Sequence, residues 1–170
     1  MDKILLLNDS HATLYDKLRL EALQDSPTAF ATDYEEYVNR KDRIQRVKNN
    51  LMKDSAFTVG AFQDDQLVGV ATMVIHEQLK LKHKAEIYAV YVSPTQRGRS
   101  IGYHLLQKLM KVAKTKNIEQ LLLTVEANNQ RAICLYQRAG FKQIGIEKNA
   151  MKINDIYYDE AYMQKMLTTN

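Results

Sequence analysis

Ile87-Tyr88-Ala89-Val90-Tyr91-Val92-Ser93-Pro94, running on into Arg97-Gly98-Arg99-Ser100-Ile101-Gly102, is the stretch that decides how this chain folds. The first six residues are apolar or aromatic without a break, which suits a strand buried on both faces. A turn carrying two glycines and two arginines follows, then an amphipathic segment over Ile101–Lys114. A second apolar run, Leu121-Leu122-Leu123-Thr124-Val125, leads to Asn128-Asn129-Gln130-Arg131-Ala132-Ile133-Cys134-Leu135-Tyr136. The order is strand, glycine-bearing loop, helix, strand, helix. Two doubly buried strands joined through a helix are expected to lie parallel, linked by a right-handed crossover.

The flanking segments extend this sheet. Ile4 to Leu7 reads as a short first strand. Asn8, Asp9 and Ser10 offer N-caps for a helix through about Gln24, with Leu14, Leu18 and Ala22 on one face. Pro27 breaks the chain, and a second, highly charged helix is expected from Asp33 to about Met52. Ala56–Phe62 and Leu67–His76 form an antiparallel hairpin around Asp64-Asp65-Gln66. A long final hairpin joins Phe141–Ile153 to Ile156–Leu167 through Asn154-Asp155. The fold class is α/β: a mixed sheet of about seven mostly antiparallel strands, one central parallel pair, and about four helices shared between both faces.

The 170 residues, 45% hydrophobic and 26% charged, suit one domain over residues 1–170 with a substantial core. No apolar run approaches the ~20 residues of a spanning helix. Met1-Asp2-Lys3 and the short run after it lack the apolar centre of a signal peptide. The lone Cys134 precludes an internal disulfide and fits a reducing compartment, so a cytoplasmic location is expected. Lys80 to Lys116 holds nine lysines and arginines against Glu86 alone, a local +8 in a chain of net +4, which leaves −4 for the remainder. Lys108, Lys111, Lys114 and Lys116 read as a solvated helix face. The excess around the glycine loop raises the local concentration of an anionic ligand.

A turn entering a helix leaves several backbone N–H groups pointing the same way, and with the helix dipole they bind phosphate without any particular side chain. Glycines alone would describe an ordinary tight turn. Arg97 and Arg99 in the same loop, between a buried strand and an amphipathic helix, favour an anion site. Neither Gly-x-Gly-x-x-Gly nor Gly-Lys-Ser/Thr is present, so this is not a dinucleotide or Walker loop.

Val92-Ser93-Pro94-x-x-Arg97-Gly98-x-x-Ile101-Gly102, followed by Asn129-x-x-Ala132-x-x-Leu135-Tyr136-x-x-x-Gly140-Phe141, closely resembles the GNAT superfamily of acetyl-CoA-dependent N-acetyltransferases. Both halves of the signature stand in order and at the expected separation. The likeness extends more loosely from about residue 1 to 167, through Leu18-Arg19-x-Glu21-Ala22-Leu23 and Pro27-x-Ala29-Phe30. Ser100 stands where the family pattern has glycine. Its N–H still donates, with some loss of binding expected if the position needs a positive φ.

The resemblance implies a GNAT-like fold in which the central parallel strands splay and the pantetheine arm of acetyl-CoA, the co-substrate, lies in the gap. It implies that Val90, Tyr91 and Val92 pair with that arm through their backbones. By the same likeness Arg97, Gly98, Arg99, Ser100, Ile101, Gly102 and Tyr103 wrap the pyrophosphate, and Asn129 hydrogen-bonds the arm. An alkyl amine of pKa near ~10 must lose a proton before it attacks a thioester, the developing oxyanion needs a donor such as a strand N–H near Val92, and the leaving thiolate needs a proton. Tyr136, at the family's Leu-Tyr position, is the proposed acid; otherwise it is a core aromatic with a solvent-reaching hydroxyl.

Two glutamates compete as general base. Glu86 opens the first strand, at the offset of the catalytic glutamate in the histone-modifying branch; otherwise it is a surface partner of Lys82 or Lys84. Glu126, past the second parallel strand, is the rival, with capping of the next helix or a rim ion pair as its ordinary role. Many family members use ordered water and no dedicated base. Cys134 reads as a small core residue, and without a paired nucleophile direct transfer is expected. His11, His76, His83 and His104 lack metal-ligand spacing, so no metal is expected. Tyr157-Tyr158-Asp159-Glu160 reads as a strand edge with solvated acids.

The acceptor expected is a primary amine of a small molecule. A protein N-terminus or lysine, and a CoA-binding module without turnover, remain the alternatives. Nucleic-acid binding through the basic segment lacks an aromatic stacking pattern, and no nucleic-acid or membrane partner is expected. A homodimer is the family-level expectation.

Overall fold

Both turns that the sequence singles out for hairpins have the backbone such turns need. Asp64 and Asp65 have φ of 47° and 60°, and Asn154 and Asp155 have 47° and 63°. Two consecutive positive φ values match the right-handed twist of the strands they join, and Asp and Asn tolerate them best after glycine. The computed structural model describes residues 3–167. Its elements are β1 (Lys3–Leu6), α1 (Ala12–Asp25), α2 (Tyr34–Val38), α3 (Arg43–Leu51), β2 (Ala56–Gln63), β3 (Gln66–Ile75), β4 (Lys84–Val92), α4 (Ile101–Thr115), β5 (Gln120–Glu126), α5 (Gln130–Arg138), β6 (Lys142–Ile153) and β7 (Ile156–Met166).

The strands form one sheet in the order β1-β2-β3-β4-β5-β7-β6. Every neighbouring pair is antiparallel except β4 and β5. The mixed α/β architecture with a central parallel pair is therefore as expected from the sequence, with five α-helices among the described residues where about four were expected. The charged segment from Asp33 to Met52 is two helices, not one. Asn39 Nδ2 donates to the Glu35 carbonyl at 2.8 Å, and Arg43 Nη1 turns back to the Val38 carbonyl at 2.9 Å. Arg43 Nε also grips Asp16 of α1 at 2.8 and 3.0 Å. These bonds satisfy the carbonyls that end α2, and they turn the chain where no glycine or proline marks a break.

Two cores lie on opposite faces of the sheet. Leu105, Leu106 and Leu109 of α4 pack with Met73, Ile87, Leu121 and Met163 on one face. Leu18 and Ala22 of α1 pack with Leu7, Leu67, Val70 and Tyr91 on the other. Strand β4 contributes to both, and a bulge within it exchanges which residues face which core. Val70 faces Tyr91 and Thr72 faces Tyr88, so β4 spends one more residue than β3 across this interval. Ala89 takes the left-handed conformation, with φ 53°. Side chains alternate strictly along a strand, so one inserted residue reverses every later side chain. Ala85 and Ile87 face α4 before the bulge; Tyr91 faces α1 after it.

Candidate active site

The parallel pairing of β4 with β5 is short. It covers Lys84 with Gln120, Ala85 with Leu121 and Glu86 with Leu122, and goes no further. Beyond that point the strands separate, and the edge of β4 turned towards β5 has no strand partner. A cavity of about 470 Å³ opens there. Val90, Tyr91, Val92, Arg97, Gly98, Ser100, Ile101, Gly102, Tyr103, Asn129 and Tyr136 all line it.

The loop into α4 is built to leave its amides open. Gly98 has φ 84° and nothing within 4 Å of where a Cβ would stand. Ser100, in the cap position, has φ 59°, so the position where the family pattern has glycine does require the left-handed region. Its hydroxyl makes no capping bond to α4 and instead accepts from Arg138 Nη1 at 3.2 Å. The first N–H groups of a 15-residue helix thus meet the cavity without a side-chain cap. Gly102 acts through packing instead. A Cβ there would come within 3.0 Å of Leu135 Cδ2, so its absence lets α5 lie close to α4.

Asn129 is committed locally. Its side-chain oxygen accepts from the Ala132 N–H at 3.1 Å and caps α5. Arg97 donates from Nε to the Val92 carbonyl at 2.9 Å and pairs with Asp25 of α1. Its guanidinium also sits 5.5 Å from the Tyr91 ring centre, and the Tyr91 hydroxyl donates to Glu21 at 3.0 Å. Burial, reinforced by the Glu21 carboxylate, pushes the Tyr91 phenol up. The loop into α4 is thereby tied to the end of α1.

Tyr136 is buried, edge-on to Phe141 with ring centres 6.1 Å apart. Burial pushes its phenol well above the ordinary tyrosine range, so the hydroxyl keeps its proton at any working pH. Arg99, Glu86 and Glu126 do not line this cavity. Arg99 reaches Gln63 at 3.5 Å. Glu126 is 9% exposed and accepts from the Asn128 N–H at 3.0 Å, which caps the turn into α5. Glu86 lies on the α1 side of β4. It pairs with His76 Nε2 at 3.2 Å and accepts from the Tyr88 hydroxyl, in place of the lysine partners considered from the sequence. Burial, then the Glu86 carboxylate, pushes Tyr88 up to about 12.

Sequence reasoning passed over several lining residues. Cys134 is exposed and lines the cavity, so it is not a core residue. Arg131 and Arg138 add cations to the rim, and Arg138 stacks 4.5 Å from the Tyr103 ring centre. The spacing 131, 135, 138 on α5 was the available signal, since i, i+4 and i+7 share a helix face. Gln96 also lines the cavity, and its Oε1 is buried with no hydrogen-bond partner among the described residues.

On the other face, behind Ala89, lie two adjoining hollows of about 830 and 580 Å³, both lined by Tyr15, Val47, Asn50, Lys53 and Ala89. His76 and Tyr88, the partners of Glu86, line the larger one. Among the described residues no group of three or more His, Cys, Asp or Glu could hold a metal ion, and no helix is long and apolar enough to cross a membrane.

A splayed parallel pair, an uncapped helix start and a basic rim together make an open cleft suited to an anionic ligand. This chain belongs to the acetyltransferase (GNAT) family, whose model matches residues 17–141. It is 36% identical over 92 residues to an uncharacterized protein of Mycobacterium leprae, covering 52% of this chain and 23% of that one. It is 27% identical over 112 residues to a spermidine N(1)-acetyltransferase of Thermoplasma acidophilum, covering 64% of this chain and 66% of the relative. The chain thus spans less than two thirds of the length of these two relatives. Its fold matches that of a GNAT-family acetyltransferase from Streptococcus pneumoniae with a TM-score of 0.85 at 18% identity, over 99% of this chain and 100% of that one.

Proposed function

We propose that this protein is an N-acetyltransferase that moves an acetyl group from acetyl-CoA to a primary amine of a small molecule by direct attack. The observation that carries the reading is a single cavity in which the open edge of β4, the uncapped amides of α4 and the Tyr136 side chain meet. The orphaned Gln96 Oε1 and the open space over Gly98 fit a ligand that donates hydrogen bonds and bears phosphate. In this reading the backbones of Val90 to Val92, with Asn129, hold the pantetheine arm. Arg97, Gly98 and Ser100 to Tyr103 take the pyrophosphate, while Arg99, which stands outside the cavity, adds only charge to the approach. Bound acetyl-CoA supplies an activated thioester.

The chain supplies placement and protons. A β4 N–H near Val92 faces the carbonyl oxygen where charge develops. Tyr136 donates its proton to the leaving sulfur. Glu86 is the favoured base, because its neighbours His76 and Tyr88 line the hollow on the acceptor side; Glu126 is engaged by a backbone amide. We extend the reading to one domain, on the strength of the single seven-stranded sheet that unites the described residues, and to a cytoplasmic site of action, on the strength of the lone Cys134.

The test is thiol release from acetyl-CoA across polyamines, aminoglycosides, amino acids and short peptides. Release with one acceptor class supports the reading; CoA binding without release across the whole panel removes it. Glu86→Gln should abolish the acidic limb of the pH–rate profile and Glu126→Gln should leave it, and the reverse outcome reassigns the base.

A further inference from the structure

The smaller hollow carries a charge that acetyl transfer itself does not use. Arg19, Arg40, Arg43, Arg46 and Lys53 line it against a single acid, Asp42. Three of these arginines are already neutralised: Arg40 by Glu36, Arg43 by Asp16 and Arg46 by Asp42. Among the described residues, Arg19 and Lys53 have no carboxylate within 4.0 Å. Asp16, the buried carboxylate nearest in sequence, is taken up by Arg43 Nε at 2.8 and 3.0 Å and by the Tyr37 hydroxyl at 3.0 Å. Glu21, on the next turn of α1, accepts from Tyr91.

Arg19 is held in place without being satisfied. Its guanidinium sits 4.5 Å from the centre of the Phe30 ring. Its charge opposes the upward push of burial on both the Tyr15 and Tyr37 phenols, which sets the three groups around the same space. A half-buried guanidinium fixed on an aromatic face, with its donor fork free of any carboxylate, is the arrangement that captures a carboxylate or phosphoryl group. The position is also close to the chemistry. Phe30 lines the cofactor cavity while Arg19, stacked on its ring, lines the hollow behind it. Ala89 lines the hollow, and its neighbour Val90 lines the cavity.

We propose that Arg19, assisted by Lys53, binds an anionic group of the acceptor, so that the preferred substrate is a primary amine that also bears a carboxylate or phosphoryl group, an amino acid being the simplest case. The inference rests on the N-acetyltransferase reading and names the acceptor class for that site.

The test compares amino acids with their carboxamides, their 1-aminoalkylphosphonate analogues and spermidine, as acceptors of the full chain with acetyl-CoA. The anionic members should exceed the carboxamides in kcat/KM by about 10- to 100-fold, the scale of a charge-assisted hydrogen bond. The carboxylate and phosphonate arms then tell the two anions apart. Arg19→Gln should collapse that ratio towards one, and Arg19→Lys should restore part of it. Calorimetric titration of the same compounds into the CoA-loaded protein gives a readout that needs no turnover. Equal or better use of carboxamides or spermidine, or a ratio that survives Arg19→Gln, overturns the inference. Arg19-dependent anion binding without acetyl transfer to any amine upholds the subsite and sinks the transferase reading. Neutral amines acetylated with no anion preference do the opposite, and no binding of any compound in calorimetry overturns the subsite.

Discussion

Strand β4 has two working sides, and they are built by different rules. Towards α4 and β5 the cleft exposes backbone: an unpaired strand edge, the first amides of a helix, and the left-handed Gly98 and Ser100. Towards α1 and α3 the hollows expose side chains: Arg19, Tyr15, Lys53, and His76 and Tyr88 beside Glu86. Backbone sites need few residue types at fixed spacing, so they leave a motif in the sequence. Side-chain sites assembled from α1, α3, β3 and β4 leave none, because their spacing along the chain is set by the fold. In the proposed reaction, the backbone side would hold the acetyl donor and the side-chain side would set the acceptor.

This contrast can be broken experimentally. The largest effect is expected on the backbone side, at Tyr136, whose side chain is the proposed acid. Tyr136→Phe should lower kcat by about 100-fold or more while acetyl-CoA affinity, measured by calorimetry, stays nearly constant. Unchanged kcat would return Tyr136 to the role of a core aromatic. On the side-chain side, Asp16→Ala leaves Arg43 without its partner and Tyr37 without its acceptor. A loss of about 2–3 kcal/mol, or a melting midpoint lower by ~6–9 °C, is expected, towards the low end for a buried ion pair because Arg43 reaches solvent.

Smaller effects sharpen the boundary between the two sides. Ser100→Gly should relieve the left-handed strain and raise stability by about 1 kcal/mol, or ~3 °C in midpoint, despite the lost contact with Arg138. A fall in midpoint would mean that the Arg138 bond outweighs the strain. The Asp25–Arg97 pair joins the sides and should report on pH. Burial disfavours the Asp25 charge, but bonds from Arg97 and Ser26 prevail and hold its carboxyl below the ordinary 3.8. The stability it adds is therefore complete above about pH 4 and is lost as pH falls below that value towards the lowered pKa. Asp25→Asn should lower the midpoint slightly at pH 7, and the gap should narrow at pH 3. A gap that is the same at both values would show that the pair adds nothing.

The legibility of the fold follows the same division. The hairpin turns at Asp64-Asp65 and Asn154-Asp155 were readable because turn chemistry is local, and the buried strands because apolar runs are. The break between α2 and α3 was not, since it is made by Arg43 reaching Asp16 on another helix. Of the residues singled out in advance, Val90 to Val92, Arg97, Gly98, Ser100 to Tyr103, Asn129 and Tyr136 line the cavity, whereas Arg99, Glu86 and Glu126 do not. Arg19 could be quoted but not interpreted, because its meaning depends on Phe30 beneath it and on which carboxylates are occupied elsewhere. The bulge at Ala89 was silent too: alanine gives no warning of a positive φ, and the reversal of faces it causes depends on β3.

The placement of β7 between β5 and β6 has a consequence for biosynthesis. As the chain leaves the ribosome, the inner strand β5 is made before the strand that will cover its far edge. Until the residues through Met166 emerge, Gln120–Glu126 presents an apolar strand with one open side. At ~5–20 residues per second this exposure lasts a few seconds, and it is the moment at which the nascent chain is most able to pair with a neighbour. The same order means that the far edge of β5 is covered only once β7 has emerged, after every residue that lines the cavity beside β4 has been made.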